Sequence, residues 1–380
     1  MDLFPYPHPR GPAADALREE VRDFLAVELA DRPPVERAQS WTGADPAFSR
    51  KVGKRGWLGM TWPKQYGGHE RSSLERYVVV EEMLAAGAPV AAHWIADRQV
   101  GPSLLKFGTE AQKQKVLPSI AAGECCVAIG MSEPDAGSDL AAVRTKAVRT
   151  AGGWRLNGTK LWTTNGHIAH YMVLLARIDK ETTDRHGGLS QFLIDMSTPG
   201  IDVRPILIPS GEHHFNEVVF NDVLLPEDAL FGAEGNGWTQ VMSELAHERS
   251  GPERFLSSFI LLAELTRVCG PEPSERAALV IGRLAAHLAT LRRMSYSVAG
   301  QLNEGLDPSL QAVIVKDLGA VFEQEIPEIA RALTAGTLAS ADPDYSAVLD
   351  HIMLHAPSFS LRGGAREILR GIIARGLGLR

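Results

Sequence analysis

The 380-residue sequence has little cysteine, and the cysteines that it has show no metal-binding spacing. Cys125 and Cys126 are adjacent, and Cys269 lies far along the chain. An adjacent pair seldom forms a structural disulfide, and a single further cysteine completes no zinc or redox motif. We therefore predict small buried apolar side chains rather than reactive thiols or metal ligands.

Runs of one charge sign and long apolar runs are also absent. Lys and Arg number 39 against 46 Asp and Glu, which gives a formal net charge of -7 without a basic cluster. Nucleic acid is not an expected partner, because phosphate binding needs a clustered basic face. No window approaches about 18 uninterrupted apolar residues, and the amino terminus does not resemble a secretion signal. We therefore expect a cytoplasmic protein without membrane insertion.

The two end regions of the chain have helical periodicity. Apolar residues recur at helical spacing over 17–29, and similar patterns predict helices over 72–84 and 109–120. The pattern returns over 284–302, and a helix start signal follows at 307–309.

The middle of the chain is strand-like. Short β-branched and aromatic runs separated by Gly, Asn and Pro lie between Cys125 and Trp238, and Asn157-Gly158 within them is typical of a tight hairpin turn. The order of these regions predicts an α+β fold. Its expected parts are an N-terminal helical domain (1–122), a middle β-barrel or sandwich domain (123–234) and a C-terminal helical bundle (235–380).

Two segments of the middle region carry polar groups suited to a ligand. Segment 131–139 reads MSEPDAGSD and places hydroxyls after an apolar run, although such residues also make ordinary turns. Segment 157–166 reads NGTKLWTTNG and places Trp162 and Thr164 on one face of a strand. A flat aromatic beside a hydroxyl suits a heteroaromatic ring, and a packed Trp is equally compatible with the pattern.

Together these segments resemble two signatures of the acyl-CoA dehydrogenase family, a T/S-E-P-x-A-G-S-D loop followed by G-x-K-x-W-x-T-N-G. The likeness extends to 56–68, 107–113, 235–238 and 367–374, so it covers most of the chain. It implies the family fold, FAD as cofactor and an acyl-CoA substrate.

Position by position, the resemblance implies where FAD and the substrate bind. The implied flavin contacts are Ile129, Met131, Ser132, Trp162 and Thr164, and the implied acyl-CoA contacts are Ser138 and Arg249. A hydroxyl that donates to a flavin nitrogen tunes the electron sink that the cofactor supplies. No metal is expected, since His213-His214 lacks a third ligand at a convincing spacing, and we predict that both histidines lie in a loop.

Family members carry the catalytic carboxylate at one of two positions. The position in the tail aligns with Gly363, which has no side chain to act as a base. The other, used by isovaleryl-CoA dehydrogenase-like members, aligns with Glu248, which we predict as the base, although an isolated Glu is also typical of a solvated surface or an ion pair. Ser250 and Glu253 have the spacing of a helix capping box, which predicts a structural role for Glu253.

The resemblance weakens where family members contact the FAD pyrophosphate and adenine across a subunit interface. Segments 267–274 and 332–347 replace the family's R-x-x-F-G and Q-x-x-G-G, and Ala365 and Glu367 replace a Thr and a Gln. An acidic Glu367 would repel a phosphate. The pattern resembles bacterial steroid and bulky acyl-CoA dehydrogenases that form α2β2 assemblies, so a homo- or hetero-oligomer, with a related subunit completing the FAD site, is expected.

The predicted reaction is dehydrogenation of an acyl-CoA to the trans-2-enoyl-CoA. The α-proton passes to Glu248 and the β-hydride to N5 of FAD, and electrons then pass to an electron-transfer flavoprotein. Two alternatives are open: an acyl-CoA oxidase that uses O2, and a non-catalytic partner subunit of a heteromeric dehydrogenase.

Overall fold

The computed structural model describes residues 3–5, 12–178, 184–248 and 251–379, and the side chains of residues 12 and 245–248 lie outside the described part. The chain divides into two compact units. The helical unit comprises Met1–Ala44, Arg71–Val90 and Glu248–Arg380, and the β unit comprises Asp45–Glu70 and Ala91–His247. The boundaries of the three domains expected from the sequence stay a prediction.

Helices dominate both ends of the chain, and strands lie between them. The α-helices are α1 (Pro12–Glu28), α2 (Pro34–Gln39), α3 (Pro46–Lys54), α4 (Ser73–Ala86), α5 (Ala91–Ile95), α6 (Gly101–Phe107), α7 (Glu110–Ala121), α8 (Gly237–Glu248), α9 (Phe259–Cys269), α10 (Glu275–Asn303), α11 (Ser309–Thr334), α12 (Pro343–His355) and α13 (Arg366–Gly376), with a π-helical turn over Ala96–Val100. The strands are β1 (Val127–Gly130), β2 (Lys146–Thr150), β3 (Gly153–Thr164), β4 (Tyr171–Ile178), β5 (Leu189–Asp195), β6 (Ile201–Leu207), β7 (His213–Pro226) and β8 (Leu230–Phe231).

The predicted helices are confirmed, and local capping explains where they begin. The Ser72 side chain accepts from the Glu75 backbone N–H at the start of α4, and Thr109 does the same for Gln112 at the start of α7. Pro118 lies inside α7, which ends three residues later at Ala121. Among the described helices, none is long and apolar enough to cross a membrane.

The helical unit contains a buried network of charges. Glu81 accepts from Arg292 at 2.5 and 2.6 Å, and Arg18 donates to Glu82 at 2.7 Å. Both carboxylates are less than 10 % exposed, so each requires its cationic partner. The network joins α1 and α4 to α10 within this unit.

The β unit is built on one eight-stranded mixed sheet. Its strand order is β6-β7-β3-β2-β4-β5-β8, and β1 pairs with β4 beside this path. The β4 strand runs parallel to β1 and β2, and the other pairs are antiparallel. The α+β fold with helical ends is confirmed, but the described strands form an open sheet rather than a closed barrel. Buried Trp154 and Phe192 meet edge to face at 5.2 Å in its core.

The predicted hairpin turn at Asn157-Gly158 is wrong. The β2–β3 hairpin turns at Ala151-Gly152, and β3 runs on through Asn157-Gly158 while paired with β7. A bulge lies there instead, where the Asn157 side chain exchanges two hydrogen bonds with Asp222. Pairing along β7 therefore overrides the local turn preference.

The cysteines Cys125 and Cys126 are buried, as predicted. Burial raises the pKa of the Cys125 thiol to about 11 and that of Cys126 to about 12, so both thiols stay protonated at neutral pH. Cys269 is half-buried.

Substitution of Gly158 tests whether β3 runs through this position as a bulge. A Cβ at this position would lie 2.7 Å from the Thr145 Cα, whereas a Cβ at Gly152 would meet nothing within 4 Å. Both glycines have positive φ, of 150° and 86°. We expect Gly158→Ala to lower the free energy of unfolding by about 3 kcal/mol and Gly152→Ala by only about 1 kcal/mol, because only the first adds a backbone collision. Urea unfolding of both variants measures the difference, and equal losses would contradict the bulge.

Candidate functional site

The structure brings the two motif segments together. Segment 131–139 follows β1, and segment 157–166 includes the end of β3. The Leu161 backbone N–H donates to the Ser132 carbonyl at 2.9 Å, and Lys160 Nζ donates to the Met131 carbonyl at 3.0 Å. The segments are thus bonded side by side, although 27 residues separate Lys160 from Glu133.

A buried ion pair joins the same two segments. Lys160 Nζ lies 2.7 Å from Glu133 Oε1, with side-chain exposures of 0 % and 6 %. The Glu133 carboxylate also accepts from the backbone N–H groups of Arg144 at 2.6 Å and Thr145 at 2.9 Å. Every charge in this pair therefore has several partners, which is the condition for a stable buried pair.

The pair shifts the pKa values of both groups. Burial lowers the pKa of Lys160 from 10.5 to about 8, although attraction to Glu133 opposes the shift. For Glu133, burial raises the pKa, but the Lys160 charge and the hydrogen bonds together bring it below the ordinary value. Between the lowered pKa of Glu133 and the Lys160 pKa of about 8, both side chains are thus charged and the pair is complete.

Trp162 lies in a second bulge of β3. Lys160 pairs with Val218 and Thr163 with Asn216, so two residues of β3 face one of β7. Trp162 has φ of 59°, a left-handed value that is unusual for a large aromatic residue.

The Trp162 indole is 56 % exposed and meets Phe215 edge to face at 5.8 Å. Thr164 is half-buried, and Thr163 between them is buried. Trp162 and Thr164 thus share the less buried side of the strand, as expected from the sequence.

The other expected ligand contacts occupy different environments. Ile129 pairs with Val173 in the sheet and is partly exposed, Met131 and Ser132 are half-buried, and Ser138 is exposed at the far end of its loop. Glu248 is the last residue of α8, and its side chain lies outside the described residues, as does the whole of Arg249. Their expected roles stay predictions.

The two histidines expected in a loop lie at the beginning of β7 instead. His213 Nε2 lies 2.8 Å from Asn216 Oδ1, and the His213 ring stacks on His167 at 4.0 Å. The His214 carbonyl accepts from the Asn165 backbone N–H. Pairing of His213 with Leu207 of β6, together with this bond from Asn165, explains the error, because both extend β7 ahead of the predicted NEVVF run at 216–220.

The tail position that lacks a carboxylate lies against a cation. Gly363 has φ of 67°, and a Cβ there would be 3.2 Å from the Arg254 guanidinium. Arg254 is buried and pairs with Glu253 at 3.2 Å. Glu253 belongs to a 3-10 turn, Pro252–Arg254, whereas the next α-helix begins at Phe259. The expected position of Glu253 in a helix capping box is therefore wrong, and Ser250 lies outside the described residues. The structural role expected for Glu253 stays a prediction.

Carboxylates lie at the positions that replace the family's contacts to the FAD phosphates. Arg267 donates to Asp342 at 2.8 and 3.1 Å and to Glu264 at 2.7 Å, and these hydrogen bonds raise its pKa. Glu367 is exposed in the first turn of α13, where a helix dipole favours a negative charge and would otherwise favour a phosphate.

The residues fit one half of FAD and not the other. The exposed Trp162 indole and half-buried Thr164 at the end of β3, with Ser132 bonded to the same strand through Leu161, supply a flat apolar surface and hydroxyls, as an isoalloxazine ring requires. Arg267, already bonded to two carboxylates, and the acidic Glu367 do not fit a pyrophosphate.

The sequence analysis missed Glu133, Lys160 and Asn216 as parts of this site. Glu133 and Lys160 stand inside the two motifs, and the available signal was acidic residues in one motif and a lysine in the other. Asn216 begins the NEVVF run at 216–220. The pattern of polar and apolar residues in that run gave no sign that the Asn216 side chain is fully buried.

Comparison with protein-family models assigns most of the chain. The acyl-CoA dehydrogenase N-terminal domain matches residues 11–124, the middle domain 128–223, and the C-terminal domain 276–378.

Individual relatives agree with these matches. Acyl-CoA dehydrogenase FadE29 of Mycobacterium tuberculosis is 32% identical over 376 residues, which are 96% of each chain. The solved Tcur3481-Tcur3483 steroid ACAD superposes with a TM-score of 0.85 at 27% identity, over 100% of this chain and 99% of that one. The ChsE4-ChsE5 complex from Mycobacterium tuberculosis gives 0.83 at 28% identity, over 98% of both chains.

Lys160→Met tests the ion pair. It leaves the buried Glu133 carboxylate without its cation, so we expect the free energy of unfolding at pH 7 to fall by about 3 kcal/mol. Lys146→Met, at an exposed lysine of β2, is the matched control and should change it by less than about 0.5 kcal/mol. Urea unfolding with Glu133→Gln and the double variant completes a cycle that isolates the coupling energy.

The lowered pKa of Lys160 predicts that the free energy of unfolding depends on pH. Between the folded pKa of about 8 and the ordinary 10.5, the unfolded chain holds a proton that folded Lys160 has lost. The contribution of this group to the free energy of unfolding therefore rises with pH across that window, as the cost of burying its charge disappears. Wild-type protein should show this rise relative to Lys160→Met, and parallel pH profiles would contradict it.

Proposed function

Since this chain belongs to the acyl-CoA dehydrogenase family and is therefore an FAD-dependent oxidoreductase, we propose that it converts an acyl-CoA thioester to the trans-2-enoyl-CoA. The observation that carries the proposal is the exposed Trp162 indole, which follows Leu161, whose backbone N–H is bonded to Ser132, and Lys160, which is paired with Glu133. When bound, FAD supplies at N5 the acceptor for the substrate β-hydride. Met131, Ser132, Trp162 and Thr164, with Ile129 at the end of β1, would hold its ring.

The proposed base is Glu248. Removal of an α-proton requires a positioned carboxylate whose pKa lies close to the working pH. Gly363 has no side chain, and the neighbouring Arg254 would lower the pKa of a carboxylate placed there. Glu248, at the end of α8, is the other family position and is proposed for that reason. Ser138 and Arg249 are proposed to contact the CoA part of the substrate.

The proposed substrate is a bulky acyl-CoA, and the proposed electron acceptor is an electron-transfer flavoprotein. Support for the substrate class comes from the Tcur3481-Tcur3483 relative, whose name describes a steroid ACAD. The acceptor follows from the family resemblance.

We also propose that a related subunit completes the FAD site. Within the described residues of this chain, Arg267 is bonded to Asp342 and Glu264, and the acidic Glu367 stands at a helix N-terminus. Neither arrangement suits a phosphate. Two of the similar structures are named for two gene products each, Tcur3481-Tcur3483 and ChsE4-ChsE5, which supports pairing with a different chain.

Glu248→Gln tests the base. We expect turnover with an artificial electron acceptor to fall by about 100- to 10,000-fold, because the amide cannot accept the α-proton. FAD content should stay at the wild-type level. Glu244→Gln, one turn earlier on α8, is the matched control, since Glu244 is bonded to Gln191 and has no proposed catalytic role. Near wild-type turnover of Glu248→Gln would make the assignment wrong.

FAD content tests the subunit pairing. The chain purified alone with added FAD should hold much less than one FAD per chain, and co-expression with a related subunit encoded beside it should raise the content severalfold. The measurement is the visible flavin absorbance per protein, with anaerobic bleaching by steroid and short straight-chain acyl-CoA esters. Full FAD occupancy of the chain alone would contradict the pairing, and a colourless pair would indicate a non-catalytic subunit.

A further inference from the structure

We propose that Asn216 is a positioning residue for the flavin-facing end of β3. Its side-chain amide holds the Thr163 carbonyl and thereby keeps the neighbouring Trp162 indole in its exposed orientation. The proposal rests on the proposed function for the use made of Trp162, but the geometry is independent of that function.

The segment that Asn216 contacts has an unusual backbone. Trp162 and Asn165 have φ values of 59° and 54°, and neither is glycine. Left-handed conformations are disfavoured for residues with a Cβ, most of all for large aromatic ones. Such a conformation persists only where neighbouring contacts hold it. Thr163, between these two residues, is therefore a point where an added hydrogen bond has a large effect.

Asn216 supplies that bond from a fully buried position. Its Nδ2 donates to the Thr163 carbonyl at 3.0 Å, and its exposed fraction is 0%. A Cβ added at Gly166 would lie 3.3 Å from the same Nδ2, so a side chain at position 166 would crowd the amide. On the other side of Thr163, the Asn165 backbone N–H donates to the His214 carbonyl at 2.8 Å.

The Thr163 carbonyl fixes the orientation of the amide, and two histidines bond to the amide in that orientation. A carbonyl oxygen only accepts, so Asn216 must present Nδ2 to Thr163. Oδ1 then faces His213, whose Nε2 donates to it at 2.8 Å. His167 Nδ1 lies 3.3 Å from Nδ2 and accepts. One amide orientation satisfies all three contacts, and the reversed amide would place Oδ1 against the Thr163 carbonyl, where both atoms only accept.

This arrangement predicts which substitutions matter. Asn216→Asp keeps the size of the side chain but places an acceptor oxygen against the Thr163 carbonyl, and Asn216→Leu removes every polar contact. Asn221→Asp is the matched control, because Asn221 is exposed on the same strand. His213→Phe removes the donor to Oδ1, whereas His213→Gln can still donate from an amide nitrogen.

The first readout needs no flavin. N-bromosuccinimide oxidises exposed indoles, and peptide mass spectrometry of the purified full chain reports each tryptophan separately. Trp162 is 56 % exposed, whereas Trp154 at 2 % serves as an internal reference for folding. We expect Asn216→Asp and Asn216→Leu to lower the Trp162 oxidation rate by up to about fivefold, which is the limit set by one lost hydrogen bond. Asn221→Asp should leave the rate unchanged.

The second readout uses the FAD-loaded protein with its partner subunit. The Kd for FAD should rise about fivefold in Asn216→Asp, with a shift of the visible flavin band and of the midpoint potential, and stay constant in Asn221→Asp. His213→Phe should show a smaller change in the same direction, and His213→Gln should restore the wild-type values. General destabilisation would not produce this rescue.

Two results would overturn the proposal. One is a Trp162 oxidation rate in both Asn216 variants equal to that of Asn221→Asp, with Trp154 still protected. The other is a failure of His213→Gln to differ from His213→Phe in either readout. If wild-type protein instead binds no flavin or is not bleached by any acyl-CoA, the proposed function fails, and the oxidation rates still decide the role of Asn216.

Discussion

The candidate site depends on the buried ion pair between Lys160 and Glu133. Without it, segment 131–139 and the end of β3 would be joined mainly by the hydrogen bond from Leu161 to Ser132. Two charges in an apolar interior cannot separate without leaving each of them unpaired, so they act as a stronger constraint than neutral hydrogen bonds of the same length. Ser132 and Trp162, which come from distant parts of the sequence, therefore keep one relative position.

That constraint explains how a strained strand end is tolerated. Trp162 occupies a left-handed conformation inside a bulge, with Lys160 anchored two residues before it and Asn216 bonded one residue after it. A bulge re-aims one side chain without breaking the pairing on either side. The aromatic face is turned outward in this way, while the strand that carries it stays in a rigid sheet, as a precise binding site requires.

Features encoded locally could be predicted from the sequence, and features set by distant partners could not. The starts of α4 and α7 follow from Ser72 and Thr109, which cap helices through residues three positions away. Asn157-Gly158 has the composition of a turn, yet pairing with β7, about 65 residues further on, extends the strand through it. The resemblance to the family identified Trp162, but Glu133 and Asn216, which help to hold its strand, come from other segments and leave no periodic signal.

The helical unit adds a constraint on where a base can lie. Gly363 has positive φ and packs on the Arg254 guanidinium, which is itself buried beside Glu253. A carboxylate introduced there would need an unfavourable backbone conformation, and the adjacent cation would lower its pKa. A carboxylate that removes an α-proton instead needs its pKa raised toward neutrality. The tail is thus unsuited to this role for electrostatic as well as steric reasons, so restoring Glu at 363 alone would form an ion pair rather than a second base.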